Sequence, residues 1–205
     1  MDLIADHTEK LGPAILKRAQ GSIRFIVAIA GPPAAGKSTL AQALRERLTS
    51  QGERVAVVGM DGFHYDDVVL RETGLLGRKG APETFDFEGF RVALERIRAG
   101  DRDIAIPVFD RSMELARAGA AIVSRDTHVI IVEGNYLLLE EEPWATLEGL
   151  FDFSIYLDVP GDQIRERLLA RWKHLAGGLE KVEHNDLRNA VRVRSRRRPA
   201  DLVLR

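Results

Sequence analysis

Ten residues, GPPAAGKSTL from Gly31 to Leu40, constrain this chain more than any other stretch. They follow IRFIVAIAG (Ile23 to Gly31), a nearly continuous apolar run of the kind that forms a strand buried on both faces of a parallel sheet. They lead into KSTLAQALRERLTSQG, where Leu40, Ala43, Leu44 and Leu48 recur at helical spacing until Gly52. Strand, glycine-rich turn and helix are the setting in which G-x-x-x-x-G-K-S holds phosphate. The small residues Gly31, Ala34, Ala35 and Gly36 leave backbone N–H groups free to turn around a β-phosphate. The helix start at Lys37, Ser38 and Thr39 aims its unpaired N–H groups and positive dipole end at the same anion. Lys37 is expected to reach the β- and γ-phosphates, and the Ser38 hydroxyl to ligate Mg²⁺. ATP and Mg²⁺ are therefore the expected cofactors. A chance glycine-rich turn is the alternative, and the flanking strand and helix weigh against it.

The remaining pattern alternates strands with helices. RVAVVGMDGF reads as a second strand, Glu88 to Ala99 as a helix stopped by Gly100, and THVIIVEGN and FSIYLDV as two further buried strands. DIAIPVFDR alternates and carries Pro107, which suits an accessory or edge strand, with AAIVS as its partner across a turn. GDQIRERLLARWKHL reads as a helix and ADLVLR as a short closing strand. Leu3, Leu11, Ile15 and Leu16 give residues 1–20 the spacing of an N-terminal helix. The expected fold class is α/β: a parallel, doubly wound central sheet flanked by helices, with a helical lid over residues 165–180. No repeat or linker interrupts residues 1–205, so one domain is expected.

A net charge of −1 gives no general attraction to nucleic acid or anionic membrane. The absence of cysteine excludes disulfides and thiolate metal sites. The acidic residues Asp2, Asp6 and Glu9 argue against a signal peptide, and no apolar run reaches membrane-spanning length. The expected location is the cytoplasm. The tail RVRSRRRPADLVL is locally basic but has no aromatic between its arginines, so it reads as solvated or as lying near nucleotide phosphates.

Binding a triphosphate does not say where its γ-phosphate goes. Asp61, in MDGFH, stands where the second strand ends, at the sheet edge that binds ligands in open α/β folds. A carboxylate there can take the proton of an attacking hydroxyl; capping a loop is the alternative role. Glu133, in VIIVEGN, ends another apolar strand and is a candidate for Mg²⁺, or else a partner of nearby backbone N–H groups. Arg167 and Arg171 share a helix face and are candidates to close over the transferring phosphoryl group; surface pairing is the competing reading. Gly177-Gly178 could hinge such a lid. His64 and Arg111 lie close to this edge, while Tyr65 and Trp172 read as structural.

With these residues in place, the chain from about Ile23 onward resembles the P-loop small-molecule kinases that include uridine kinase, phosphoribulokinase and bacterial type I pantothenate kinase. The resemblance is strongest in MDGFHYDDVVLRETGLLGRKGAPETFDFEGF (Met60 to Phe90), followed by PVFDR (Pro107 to Arg111) and IIVEGNYLL (Ile130 to Leu138). It implies that Asp61 is the base, that Glu133 lies by Mg²⁺ and that Arg171 is the lid arginine. Two departures bear on the acceptor. Lys79-Gly80 stand where uridine kinases carry a ribose-gripping FD, and Arg111 stands where pantothenate kinases place a histidine. The compact form is most similar to bacterial proteins labelled fructose transport system kinases or nucleoside/nucleotide kinase-like proteins.

The resulting expectation is an ATP-dependent kinase of a small hydroxyl-bearing metabolite, a sugar first, with His64, Arg111 and Lys79 shaping the acceptor pocket. A nucleoside, nucleotide or pantothenate kinase is the alternative. A P-loop regulatory protein without an acceptor is the second, although the N-K-x-D motif of guanine-reading switches is missing. Neither nucleic acid nor membrane is expected as partner, and a homodimer is compatible with the sequence.

Overall fold

The computed structural model describes residues 3–174 and 176–205; Met1, Asp2 and Leu175, which the expected N-terminal and lid helices include, lie outside them. Helix α1 (Leu3–Ala19) precedes β1 (Phe25–Ala30), α2 (Lys37–Ser50) and β2 (Val55–Gly59). Then come α3 (Asp67–Glu72), α4 (Phe87–Ala99), β3 (Ile104–Asp110), β4 (Leu115–Val123), β5 (Val129–Gly134) and β6 (Phe153–Leu157). Helices α5 (Gly161–Trp172), α6 (Gly178–Lys181) and α7 (Leu187–Ser195) lead to β7 (Leu202–Leu204).

Five strands form one parallel sheet in the order β2-β5-β1-β6-β7. All six residues of β1 are buried because both faces are covered. Ile26, Ala28 and Ala30 join the core that contains Phe90, Leu94 and Trp144, whereas Val27 and Ile29 join the one that contains Leu40, Leu44 and, on the neighbouring strand, Ile155. Strand alternation thus splits one apolar run between two cores, and fully burying each such isoleucine contributes about 1.5–3 kcal/mol. Leu11 and Ile15 of α1 belong to the second core, over α2. The α/β expectation holds: a doubly wound parallel sheet with helices on both faces.

β3 and β4 form a separate antiparallel hairpin whose register shifts between Ile106 and Val108, around Pro107. Proline cannot donate to the ladder, and the pairing accommodates it there. The hairpin's second strand is longer than AAIVS and begins at Leu115. Other boundaries also move. β1 starts at Phe25, leaving Ile23 93% exposed before the strand. The residues MDGF leave β2 and form a 3₁₀ turn, Met60–Phe63.

Helix α5, the first part of the expected lid, stops at Trp172, and residues 178–195 form α6, a π-helical turn at Val182–Asp186, and α7. Sequence periodicity did not point to α7. The arginines read as a basic tail also make internal contacts: Arg192 and Arg196 pair with Glu141, Arg194 with Asp158, and Arg197 covers the Tyr156 ring, while Arg194 and Arg197 border the candidate cleft as well. No helix among the described residues is long and apolar enough to cross a membrane.

Candidate active site

The C-terminal ends of β1, β2 and β5 open into a cleft of about 1180 Å³. The loop after β1 is shaped by backbone freedom: Gly36 caps α2 with φ 96°, and Ala34 also has positive φ, at 60°. Ala34 to Thr39 line the cleft. Gly31 does not; a Cβ there would lie 3.0 Å from the Leu157 carbonyl oxygen, so this glycine lets the loop pack on β6.

Lys37 is 7% exposed, and its ammonium donates to the Pro32 carbonyl at 2.9 Å and to Asn135 Oδ1 at 2.7 Å. Burial pulls its pKa down to about 8, with Arg171 and Arg111 acting in the same direction and the carboxylates of Glu133 and Asp61 against it. Asn135 was not singled out in the sequence, where it resembles an ordinary turn residue after Gly134. Its place two residues beyond a strand-end acid is the signal that could have identified it.

Ser38 Oγ donates to Glu133 Oε1 at 3.0 Å. The parallel register that sets Ile29 against Glu133 brings the end of β5 beside the loop. Burial, and then the charge of Asp61, push the Glu133 carboxyl above its usual range, partly opposed by Lys37. Hydroxyl and carboxylate are both hard oxygen donors, the type that suits Mg²⁺. No cluster of three or more His, Cys, Asp or Glu side chains able to hold a metal occurs among the described residues.

Asp61 enters from the 3₁₀ turn after β2, and its carboxylate is ion-paired with Arg111 from the hairpin tip. Burial raises its pKa, but His64, Arg111, Lys37 and Arg171 together hold it below the ordinary value. The turn is close to the hairpin because residue 62 is glycine: a Cβ there would lie 2.5 Å from the Pro107 carbonyl oxygen. The His64 ring bonds through Nδ1 to the Asp61 carbonyl at 2.8 Å, so Nδ1 carries a proton. It packs 4.0 Å from Phe85 and 5.0 Å from Phe109, and burial lowers its pKa.

The other predicted residues line the same cleft. Lys79 donates to Asp67 at 2.5 Å and to the Glu114 carbonyl at 2.7 Å, so its charge is already engaged and it forms wall more than free cation. Arg167 donates to the Ala34 carbonyl at 3.3 Å, across to the phosphate-binding loop. Arg171 makes no hydrogen bond or salt bridge among the described residues. The surface pairing weighed for these arginines is therefore not what they do; Arg165, on the same helix, is the one that pairs outward, with Glu183.

Among the cleft residues that sequence reading did not assign to the site, besides Asn135, are Asp186, Asn189 and Trp172, the last read there as structural. Asp186 and Asn189 lie in the segment that carried no periodic signal, and Trp172 is more than core filling: its indole donates to Asp186 at 2.8 Å. Burial holds the Asp186 carboxyl above its usual range, with Lys181, Trp172, Arg171 and Asn185 pulling the other way.

Comparison with known proteins gives the chain its family. Residues 26–173 match the model of the phosphoribulokinase / uridine kinase family. A crystal structure from Silicibacter sp. TM1040, of a protein named as a fructose transport system kinase, superposes with a TM-score of 0.89, 41% identity and 100% coverage of both chains. The YggC protein of Escherichia coli (strain K12) is 34% identical over 93% of this chain and 81% of its own length. A pantothenate kinase of Parvibaculum lavamentivorans is 34% identical over 78% of this chain and 52% of its own. The chain thus spans about half the length of such pantothenate kinases.

Proposed function

Because this chain belongs to the phosphoribulokinase / uridine kinase family of P-loop kinases, we propose that it transfers the γ-phosphate of ATP to a hydroxyl of a small metabolite, with a fructose-type sugar as the favoured acceptor. One observation carries the reading: the Asp61 carboxylate shares a single cleft with Lys37 and the Ser38–Glu133 pair. The sugar is supported by the name of the Silicibacter protein, which matches over its whole length.

In the reaction, Asp61 accepts the proton of the acceptor hydroxyl as that oxygen bonds to the γ-phosphorus. The bond from the γ-phosphorus to the β,γ-bridging oxygen breaks, and ADP leaves with the electron pair. Lys37 would exchange its bonds to Pro32 and Asn135 for the phosphates, regaining the charge that burial weakens. Ser38 and Glu133 would hold Mg²⁺, which supplies positive charge to the phosphate oxygens when bound. Arg171, without a partner of its own among the described residues, is free to meet the transferring phosphoryl group, and Arg167 to brace the loop. Arg111 keeps Asp61 ionised and must share it with the acceptor.

The Parvibaculum relative favours pantothenate as a second acceptor. Arg111, in place of that family's histidine, speaks against it. A coupled ADP-release assay over ketoses, aldoses, nucleosides, glycerate and pantothenate tests the reading. Turnover confined to sugars supports it, turnover with pantothenate or a nucleoside alone replaces the acceptor, and nucleotide binding without any turnover favours a regulatory P-loop protein.

A further inference from the structure

Part of the cleft wall comes from the segment that joins α6 to α7. There the chain makes a π-helical turn, Val182–Asp186, a rare geometry that is frequent at functional sites. The turn buries polar side chains: Asn185 is 2% exposed, Asp186 8%, and Asn189, one turn on, 3%. Asp186 Oδ2 accepts from Trp172 Nε1 at 2.8 Å, whereas Oδ1 has only a long contact, 3.4 Å, from Asn185 Nδ2. Among the described residues it has no salt bridge. Lys181, the nearest lysine in sequence, instead donates to the Lys79 carbonyl and lies over the Trp172 ring. A carboxylate has about four acceptor sites, and burying one without an ion pair costs stability. The Trp172 bond accounts for Oδ2 and leaves the acceptor positions of Oδ1 largely unfilled. Asp186 also borders the cleft, where a ligand can reach it.

We propose that Asp186 is an acceptor-binding residue, whose unfilled carboxylate positions take hydrogen bonds from hydroxyl groups of a neutral polyhydroxylated acceptor. The inference rests on the kinase reading above. Charge selects the ligand class. Lys181 and Arg171 border the same cleft, so a cationic headgroup would meet cations already in place. An anionic headgroup would be repelled by Asp186 itself. Hydroxyl donors satisfy the carboxylate without either cost, and two on adjacent carbons can use both of its oxygens. The same carboxylate anchors Trp172, the residue after Arg171, so acceptor contact and the lid arginine share one support.

The test compares the full-length wild type with Asp186→Asn in ADP release from MgATP. Acceptors are D-fructose and D-ribose as neutral, D-glucosamine as cationic and D-gluconate as anionic probes, with MgADP affinity measured by calorimetry. Asparagine keeps one oxygen for Trp172 but loses the charge. The expected result is preference for a neutral probe, a rise of about 10- to 100-fold in its KM in Asp186→Asn, and nucleotide affinity unchanged within about twofold. An unchanged KM overturns the assignment of Asp186 while leaving the kinase reading intact. Wild-type preference for glucosamine or gluconate also overturns it, and this arm decides even if the variant does not fold. Nucleotide binding without transfer to any of these probes overturns the assignment of Asp186, and the kinase reading falls with it only if nucleosides, glycerate and pantothenate also give no turnover.

Discussion

Ser38 Oγ and Glu133 Oε1 lie 3.0 Å apart, joining the first turn of α2 to the last residues of β5. A hydroxyl that donates to a carboxylate at a sheet edge, beside a buried lysine, puts two hard oxygen donors of the kind that suit Mg²⁺ side by side. Glu133→Gln keeps the shape and removes the charge. The expected outcome is a rise of about 10- to 100-fold in the Mg²⁺ concentration needed for half-maximal ADP release. Nucleotide binding in EDTA should stay near wild type, since the backbone cradle is untouched. A magnesium titration of the variant checks this.

Gly62 holds Asp61 against the hairpin. An alanine Cβ would meet backbone, the Pro107 carbonyl oxygen at 2.5 Å, and backbone cannot yield as a flexible side chain does. Gly62→Ala is expected to cost about 1–3 kcal/mol in denaturant unfolding. It should also reduce turnover more than nucleotide affinity, because the displaced residue is Asp61 and not the phosphate loop.

Asp186 gives a pH dependence of stability. Its folded pKa lies above the unfolded value, chiefly through burial. Between those two values the folded state binds the extra proton, so stability falls as pH rises through the window, and the penalty persists above it. Lys181, Arg171, Trp172 and Asn185 face the group and reduce the penalty without removing it. Asp186→Asn should therefore be at least as stable as wild type at pH 7. The difference should shrink as pH is lowered through that window toward the unfolded value of 3.8, for as long as the fold survives. Melting temperatures of both proteins across pH provide the check.

Much of this architecture was legible in the residues. β1 and β5 are buried on both faces, so continuous apolar runs identified them, and the strand-end acid Glu133 could be read from its position alone. The phosphate loop was legible because glycine and alanine have a steric purpose there. What stayed hidden depends on contacts distant in sequence. The arginines of α7 mask its amphipathic face, and Arg192 and Arg196 find their partner at Glu141, some fifty residues away. The pairing of Arg111 with Asp61 is likewise a product of the β3–β4 hairpin folding over the turn at residue 62. Boundaries shifted where a local turn overrode the apolar pattern, as when MDGF left the strand.

The role of Asp61 is tested most directly by Asp61→Asn, assayed for MgATP affinity and for single-turnover phosphoryl transfer to whichever acceptor the wild type uses. The account predicts that the nucleotide still binds with near wild-type affinity while transfer slows by about 10²–10⁴, the usual contribution of a general base. Transfer at the wild-type rate with intact nucleotide binding would contradict it.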